Sequence, residues 1–198
     1  MATSAARSFD FERFWRPSVM AAIRAARGEG VRVEETARRA GGAIRPADKA
    51  IQKRVGDFTE VRVNDGAIVA YHEAKMEKEK RRGNLFIETW SNFSAEGERA
   101  KEGWLTSCQA DVLWYGFVDT AELFEIPWPA LQAWLLAPHP TRTHPLGIGR
   151  VARIDTYMER AQEQTRQKNT TVGRLVPLAD LQAAGLVAAV HTLESPSP

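Results

Sequence analysis

Asn64-Asp65-Gly66 lies between two runs of alternating residues, and this arrangement constrains the chain more than any other feature. Residues 57–63 read Asp-Phe-Thr-Glu-Val-Arg-Val, and residues 67–75 read Ala-Ile-Val-Ala-Tyr-His-Glu-Ala-Lys. Alternation with a period of two marks strands, and a glycine after Asn-Asp supplies the positive φ of a tight reversal. The pattern predicts an antiparallel hairpin. A three-residue loop with a type I turn and a glycine bulge pairs Val63 with Ala67. Counting back sets Asp57 opposite Glu73, with Lys75 on the same face as Glu73. A two-residue Asp65-Gly66 turn sets Asp57 opposite Ala74 instead and puts the carboxylates on different faces. In the first register Val61, Val63, Ala67, Val69 and Tyr71 share the face of the charges. The acids then sit at the edge of an apolar stripe, where unpaired carboxylates are expensive.

The remaining segments predict a mixed α/β fold, a partly antiparallel central sheet flanked by helices. A helix is expected over 9–27, with Pro17 as a break or a start, and others over 33–39 and 47–54. A third strand follows at 84–90, then a polar loop at 91–103 and a helix capped by Thr106 and Ser107 that starts near Cys108. Strands over 114–118 and 123–126 precede a helix at 130–136. A polar helix over 155–167, a strand over 172–176 and a helix over 178–184 complete the chain. The Pro/Gly-rich stretch 137–150 reads as a linker. It divides a core domain, 1–137, from a C-terminal extension, 138–198, that packs on the core and ends in a frayed Ser-Pro tail.

Composition removes several classes. A single cysteine, Cys108, rules out an intramolecular disulfide framework and a Cys-rich zinc site, and reads as a small buried hydrophobe. No apolar run approaches the ~20 residues of a membrane span. The opening MATSAARSFDFERFW lacks the apolar centre of a secretory signal. A soluble, cytoplasmic protein without membrane partners is expected. With 27 Lys+Arg against 25 Asp+Glu, any case for nucleic acid rests on where the charges sit.

Asp57, Glu73 and Lys75 carry the chemistry. Residues facing each other across paired strands have Cβ atoms ~5 Å apart, so the carboxylates would converge on one small volume. They would repel unless a cation lay between them. Mg²⁺ suits such a pair, taking oxygen ligands from one or two carboxylates and from substrate phosphate, with Mn²⁺ as its substitute. A site of this kind activates water and neutralises charge on a phosphodiester, with Lys75 assisting the water. The competing reading is an exposed cross-strand ion pair worth under ~1 kcal/mol.

These residues resemble the PD-(D/E)XK nuclease superfamily, whose core implies an acid at the start of one strand, a hairpin, then an acid-x-Lys triplet. Here that reads Asp57, then Glu73-Ala74-Lys75. Three further runs are similar to phage-type members: residues 48–57, 83–92 and 103–111. Gly56 stands where the pattern has proline. The resemblance implies a restriction-endonuclease-like core and a Mg²⁺-dependent deoxyribonuclease in a phage or prophage setting. Asp57, Glu73 and the Ala74 carbonyl would be the metal ligands. The alternative is a non-catalytic nucleic-acid-binding or interaction protein on the same fold. DNA is the expected partner, and a single site cutting both strands would favour a homodimer.

Other residues are weaker candidates. Glu88, on a third strand taken to neighbour the second, and Gln52 would support the ligands. Glu34 and Glu35, expected on a helix, are marginal further acids, and Gln109 is marginal too. Lys78, Lys80, Arg81 and Arg82 follow the site directly and are candidate phosphate contacts. Arg166, Lys168 and Arg174, around an expected turn at 167–173, form a second candidate patch. His72, His139, His144 and His191 show no ligand spacing. Trp90, Trp104 and Trp114 read as core, with base stacking as the other use.

Overall fold

A computed structural model describes residues 4–37, 39–40, 43–44, 46–80, 83–91, 101–137, 150–159 and 166–195. The predicted hairpin forms from β4 (Phe58–Arg62) and β5 (Ile68–Glu77). Its loop has four residues, 63–66, rather than three. The Arg62 amide donates to the Ala67 carbonyl at 2.8 Å, and Gly66 takes φ +71. The Asp65 carboxylate closes the loop by accepting from the Ala67 amide at 3.0 Å and from Arg62 at 2.7 Å. That turn alone would shift the register by one residue. A bulge compensates: Val61 pairs with Ile68, but Glu60 pairs with Ala70, leaving Val69 over. Thr59 then faces Tyr71 and Phe58 faces His72. Continuing that register brings Asp57 level with Glu73, as the first register requires but by a different turn. The apolar stripe is a correction: Val61 is buried, whereas Val63 and Val69 are exposed beside Ile68 at the hairpin tip.

The hairpin lies inside a six-stranded sheet. Its order is β1 (Val31–Glu35), β4, β5, β8 (Val112–Phe117), β9 (Glu122–Pro127), β12 (Ala189–Thr192). All pairs are antiparallel except β5 with β8. The sheet is therefore mixed. β8, Val-Leu-Trp-Tyr-Gly-Phe, is buried from Leu113 to Phe117, the unbroken apolar run of a strand covered on both faces. On one face lies α1 (Ser4–Arg27), whose Trp15, Val19 and Ile23 pack with Val33, Phe58, Trp114 and Leu123. Pro17 lies within this helix and does not break it. Three large anchors at helical spacing outweigh the ~3 kcal/mol that an internal proline costs.

On the other face lie α4 (Trp128–Leu136), α5 (Leu178–Ala183) and a second sheet. That sheet runs β10 (Arg150–Glu159), β11 (Arg166–Pro177), β6 (Asn84–Ser91), β7 (Lys101–Glu102). Tyr115 of β8 ties the sheets together: its hydroxyl accepts from the Phe86 amide at 2.9 Å and donates to Glu77 at 3.0 Å. The short pair β2 (Arg39–Ala40) and β3 (Ala43–Ile44) leads into α2 (Pro46–Val55), and α3 (Trp104–Ser107) is a single turn.

Three expectations are corrected. Residues 31–35 are strand, not helix, because pairing with β4 overrides a neutral local preference. The turn expected near Cys108 ends before it. Residues 155–159, expected as the start of a helix, belong to the strand 150–159, whose Val, Ile, Thr and Tyr suit a ladder and which pairs along its length with β11. Strands of the C-terminal extension enter both sheets: β11 pairs with β6, and β12 completes the central one. Residues 138–149 of the linker expected at 137–150 lie outside the described residues, as does most of the loop at 91–103.

Candidate metal site at the end of the hairpin

α2 ends where the site begins. The Gly56 amide donates to the Gln52 carbonyl at 2.8 Å, and Gly56 adopts φ +106. A Cβ there would lie 2.5 Å from the His72 carbonyl oxygen. Proline, locked near φ −65°, is excluded on both counts by the close approach of α2 to β5. Asp57 follows, one residue before β4. No ladder partner holds it on a sheet face, and its carboxylate turns toward α1. Oδ1 accepts from Arg16 Nη2 at 2.7 Å and from Gln52 Nε2 at 2.5 Å; Oδ2 receives a long contact, 3.4 Å, from the Ala74 amide. A small cleft beside it is lined by Arg16, Val19, Asp57, Phe58, Ala74 and Met76.

Alternation along β5 sends Glu73 and Lys75 the other way. They share the face of Leu113 and Tyr115, their partners on β8. Lys75 Nζ lies 3.2 Å from Glu73 Oε1 and 5.7 Å from the ring centroid of Trp104, which stacks on Trp128. The convergence expected on one face is corrected: the acids are level along the hairpin, but Asp57 turns toward α1 and Glu73 lies on the other face, so they flank the Ala74 peptide from its two sides. Residue 74 directs its N–H toward the β4 side. In a strand the carbonyl of the same residue points the same way, so the Ala74 oxygen faces the space beyond the end of β4.

Among the described residues no group of three or more His, Cys, Asp or Glu side chains gathers as a metal cage. What the end of the hairpin offers is two carboxylates and one carbonyl. All are oxygen donors, and their number suits Mg²⁺, which keeps several waters. Asp57 Oδ2, with its single long contact, is the oxygen with capacity left.

Gln52 belongs to this cluster. Glu88 does not share its sheet: β6 pairs with β11 and β7, and β5 has β4 and β8 as neighbours, so the expected adjacency of third and second strands is corrected. Gln109 is exposed, its amide bonded to the Arg54 carbonyl. Cys108 is buried; burial first, then the charge of Glu73, pushes its thiol up to about 12, which leaves it inert as a nucleophile.

The basic candidates divide. Lys78 is exposed, with Nζ 5.3 Å from the Phe11 ring. Lys80 is tied to Glu122 at 2.6 Å and lies over Phe124. Arg81 and Arg82 are outside the described residues. Arg166 and Lys168 sit on β11 rather than around a turn. Arg174 is fully buried on that strand, opposite Ile87 of β6, so its assignment as a phosphate contact is corrected.

Two features carry no local signal. Arg16 lies 41 positions from the acid it binds. His72 is fully buried, with Nδ1 accepting from Trp114 Nε1 at 3.1 Å and Nε2 lying 3.1 Å from Glu60 Oε2. Glu60 also accepts from Arg27, which reaches Glu125, which meets His191.

Comparison with family models, with curated proteins and with solved structures found no match to this chain. Among the described residues no helix is long and apolar enough to cross a membrane.

Proposed function

We propose that this chain is a metal-dependent nuclease acting on DNA phosphodiesters, of the PD-(D/E)XK type that its residues resemble. One observation carries the reading: the bulged register brings Asp57 onto the Ala74 amide, directly beside a Glu73–Lys75 pair. Asp57, Glu73 and the Ala74 carbonyl would hold Mg²⁺. Bound there, the ion would supply Lewis acidity toward a phosphoryl oxygen and lower the pKa of a water. Gln52 fixes the orientation of Asp57 through Oδ1. Lys75, restrained by Glu73 and the Trp104 ring, offers a proton donor or acceptor at the same edge without leaving the strand. Lys78, on the continuation of β5, positions backbone phosphate. The mixed sheet with helices on its faces supports a restriction-endonuclease-like core.

A second reading has its own support. Arg16 already neutralises Asp57, and Lys75 neutralises Glu73, so the fold satisfies both carboxylates internally, as a non-catalytic nucleic-acid-binding protein would. A cleavage assay with Mg²⁺ or Mn²⁺ on linear, circular, single-stranded and junction DNA separates the two. Metal-dependent cutting by the wild type, lost in Asp57→Ala and in Lys75→Ala, is the expected result. DNA binding without cutting, equal in all three proteins, supports the second reading.

A further inference from the structure

Arg16 stands where the charge of a bound cation would be felt most. Its Nη2 is 2.7 Å from Asp57 Oδ1, and both side chains are mostly shielded, 22% and 15% exposed, so water screens the pair weakly. A divalent ion on Oδ2 would lie across one carboxylate from this guanidinium. The two cations cannot share Asp57 without strong mutual repulsion. Gln52, on the same Oδ1, is a neutral donor and compatible with a metal on the other oxygen.

The structure also contains a second place for the guanidinium. Arg16 Nη1 is 3.9 Å from Glu35 Oε2 at the end of β1, and the Glu35 side chain is more exposed, at 36%. Trp15 and Val19 anchor α1 on either side of Arg16, so a swing from Asp57 to Glu35 needs side-chain rotation rather than helix movement. The guanidinium carbon lies 5.9 Å from the Phe58 ring centroid, a flat apolar face beside that path.

We infer that Arg16 competes with a divalent cation for Asp57, and that Glu35 receives the guanidinium when the cation prevails. This rests on the metal-site reading above and deepens it: Arg16 sets the affinity of the site, and the Arg16–Glu35 pair makes metal entry an exchange of one cation for another. An orienting donor such as Gln52 would behave in the opposite way, because its removal weakens metal binding.

The test is calorimetric titration of the full chain with Mn²⁺, without DNA. Arg16→Gln is expected to bind Mn²⁺ about tenfold more tightly than wild type, within the span usual for coupled sites. Glu35→Gln is expected to bind more weakly, and to lose most of that effect in the Arg16→Gln background, where there is no guanidinium to receive. Asp57→Asn is expected to abolish binding. Metal uptake by Arg16→Gln alone would also support the exchange. If wild type binds Mn²⁺ through Asp57 but Arg16→Gln binds equally or more weakly, the exchange is wrong and the metal site stands. Should Arg16→Gln fail to fold, Glu35→Gln decides: affinity equal to or tighter than wild type overturns the exchange. If none of these proteins takes up Mn²⁺, the metal-site reading fails and the exchange with it.

Discussion

His72 and Glu73 are neighbours in the chain, yet they belong to two polar clusters of opposite character, one buried under α1 and one at the end of the hairpin. Around His72 the hydrogen bonds form a closed chain. The Trp114 indole can only donate, so Nδ1 of His72 is the acceptor and its proton sits on Nε2, directed at Glu60. Arg27 links Glu60 to Glu125 at 3.2 and 2.7 Å and lies over the Trp114 ring. His191 caps Glu125. The chain joins α1, β4, β5, β8, β9 and β12 under the packing of α1. At the hairpin end Glu73 pairs with Lys75 on one face, and Asp57, turned toward α1, commits Oδ1 to Arg16 and Gln52. Asp57 Oδ2 has one long contact, the Ala74 carbonyl faces the end of β4, and the cations reach in from the side. Closed networks specify packing; an open one retains capacity for a ligand. The alternation of a single strand produces both.

The contrast is broken most directly by substitution. Glu60→Ala leaves Arg27 and the proton of His72 facing a void in the core, and is expected to cost about 3–5 kcal/mol in urea denaturation. Asp57→Asn keeps its shape beside Gln52 and leaves Arg16 with Glu35 still within reach, so it is expected to cost less, about 1–2 kcal/mol. Equal losses would mean that the hairpin end is structural in the same sense as the buried network.

Glycines sharpen it further. Gly56→Ala combines a positive φ with a Cβ driven into the His72 carbonyl, and about 2–3 kcal/mol of stability should go with it. The displaced β5 would also carry Ala74 away from Asp57, so Mn²⁺ affinity should fall together with stability. Gly66 shares the positive φ, but its Cβ would meet open space. Gly66→Ala should therefore cost only about 1 kcal/mol and leave the metal affinity untouched. A Gly56→Ala protein with wild-type affinity would show that the close approach of α2 to β5 does not position the site.

How much of this was legible in the sequence follows from range. The hairpin, the strands of β8 and β9 and the helices α1, α2, α4 and α5 announce themselves through local periodicity. The level of Asp57 with Glu73 was legible too, although the turn and bulge that produce it were not, since a four-residue loop and a compensating bulge give the same register as a three-residue loop. β1 reads as helix because its strand character comes from β4, a partner distant in the chain, and β10 because the polar residues that follow it suggest a helix. Arg16 and the Glu60–Arg27–Glu125 links had no signature, because an arginine on an amphipathic helix looks alike whether it meets water or a carboxylate. Arg174 reads as a surface cation for the same reason, since nothing local shows that its strand is covered.

The smallest expected effect is a pH dependence that distinguishes the clusters without disturbing either. Burial holds the pKa of His72 below its ordinary value of 6.5; Glu60 pulls the other way and Arg27 adds to the depression. In the unfolded chain the imidazole takes its proton near 6.5, so below that pH the unfolded state binds more protons than the folded one. Stability should then be complete above pH 6.5 and decline as the pH falls from there toward the lowered folded value. The carboxyls of Asp65, Glu122 and Glu125 are held below their ordinary values of 3.8 and 4.5, so their contributions fade only in more acid solution and leave this window to histidine. Denaturant midpoints at about pH 7.5 and about pH 5.5 measure the decline. His72→Gln can still donate to Glu60 and accept from Trp114, yet it does not titrate, so its two midpoints should nearly coincide. An undiminished slope in that variant would place the titrating group elsewhere.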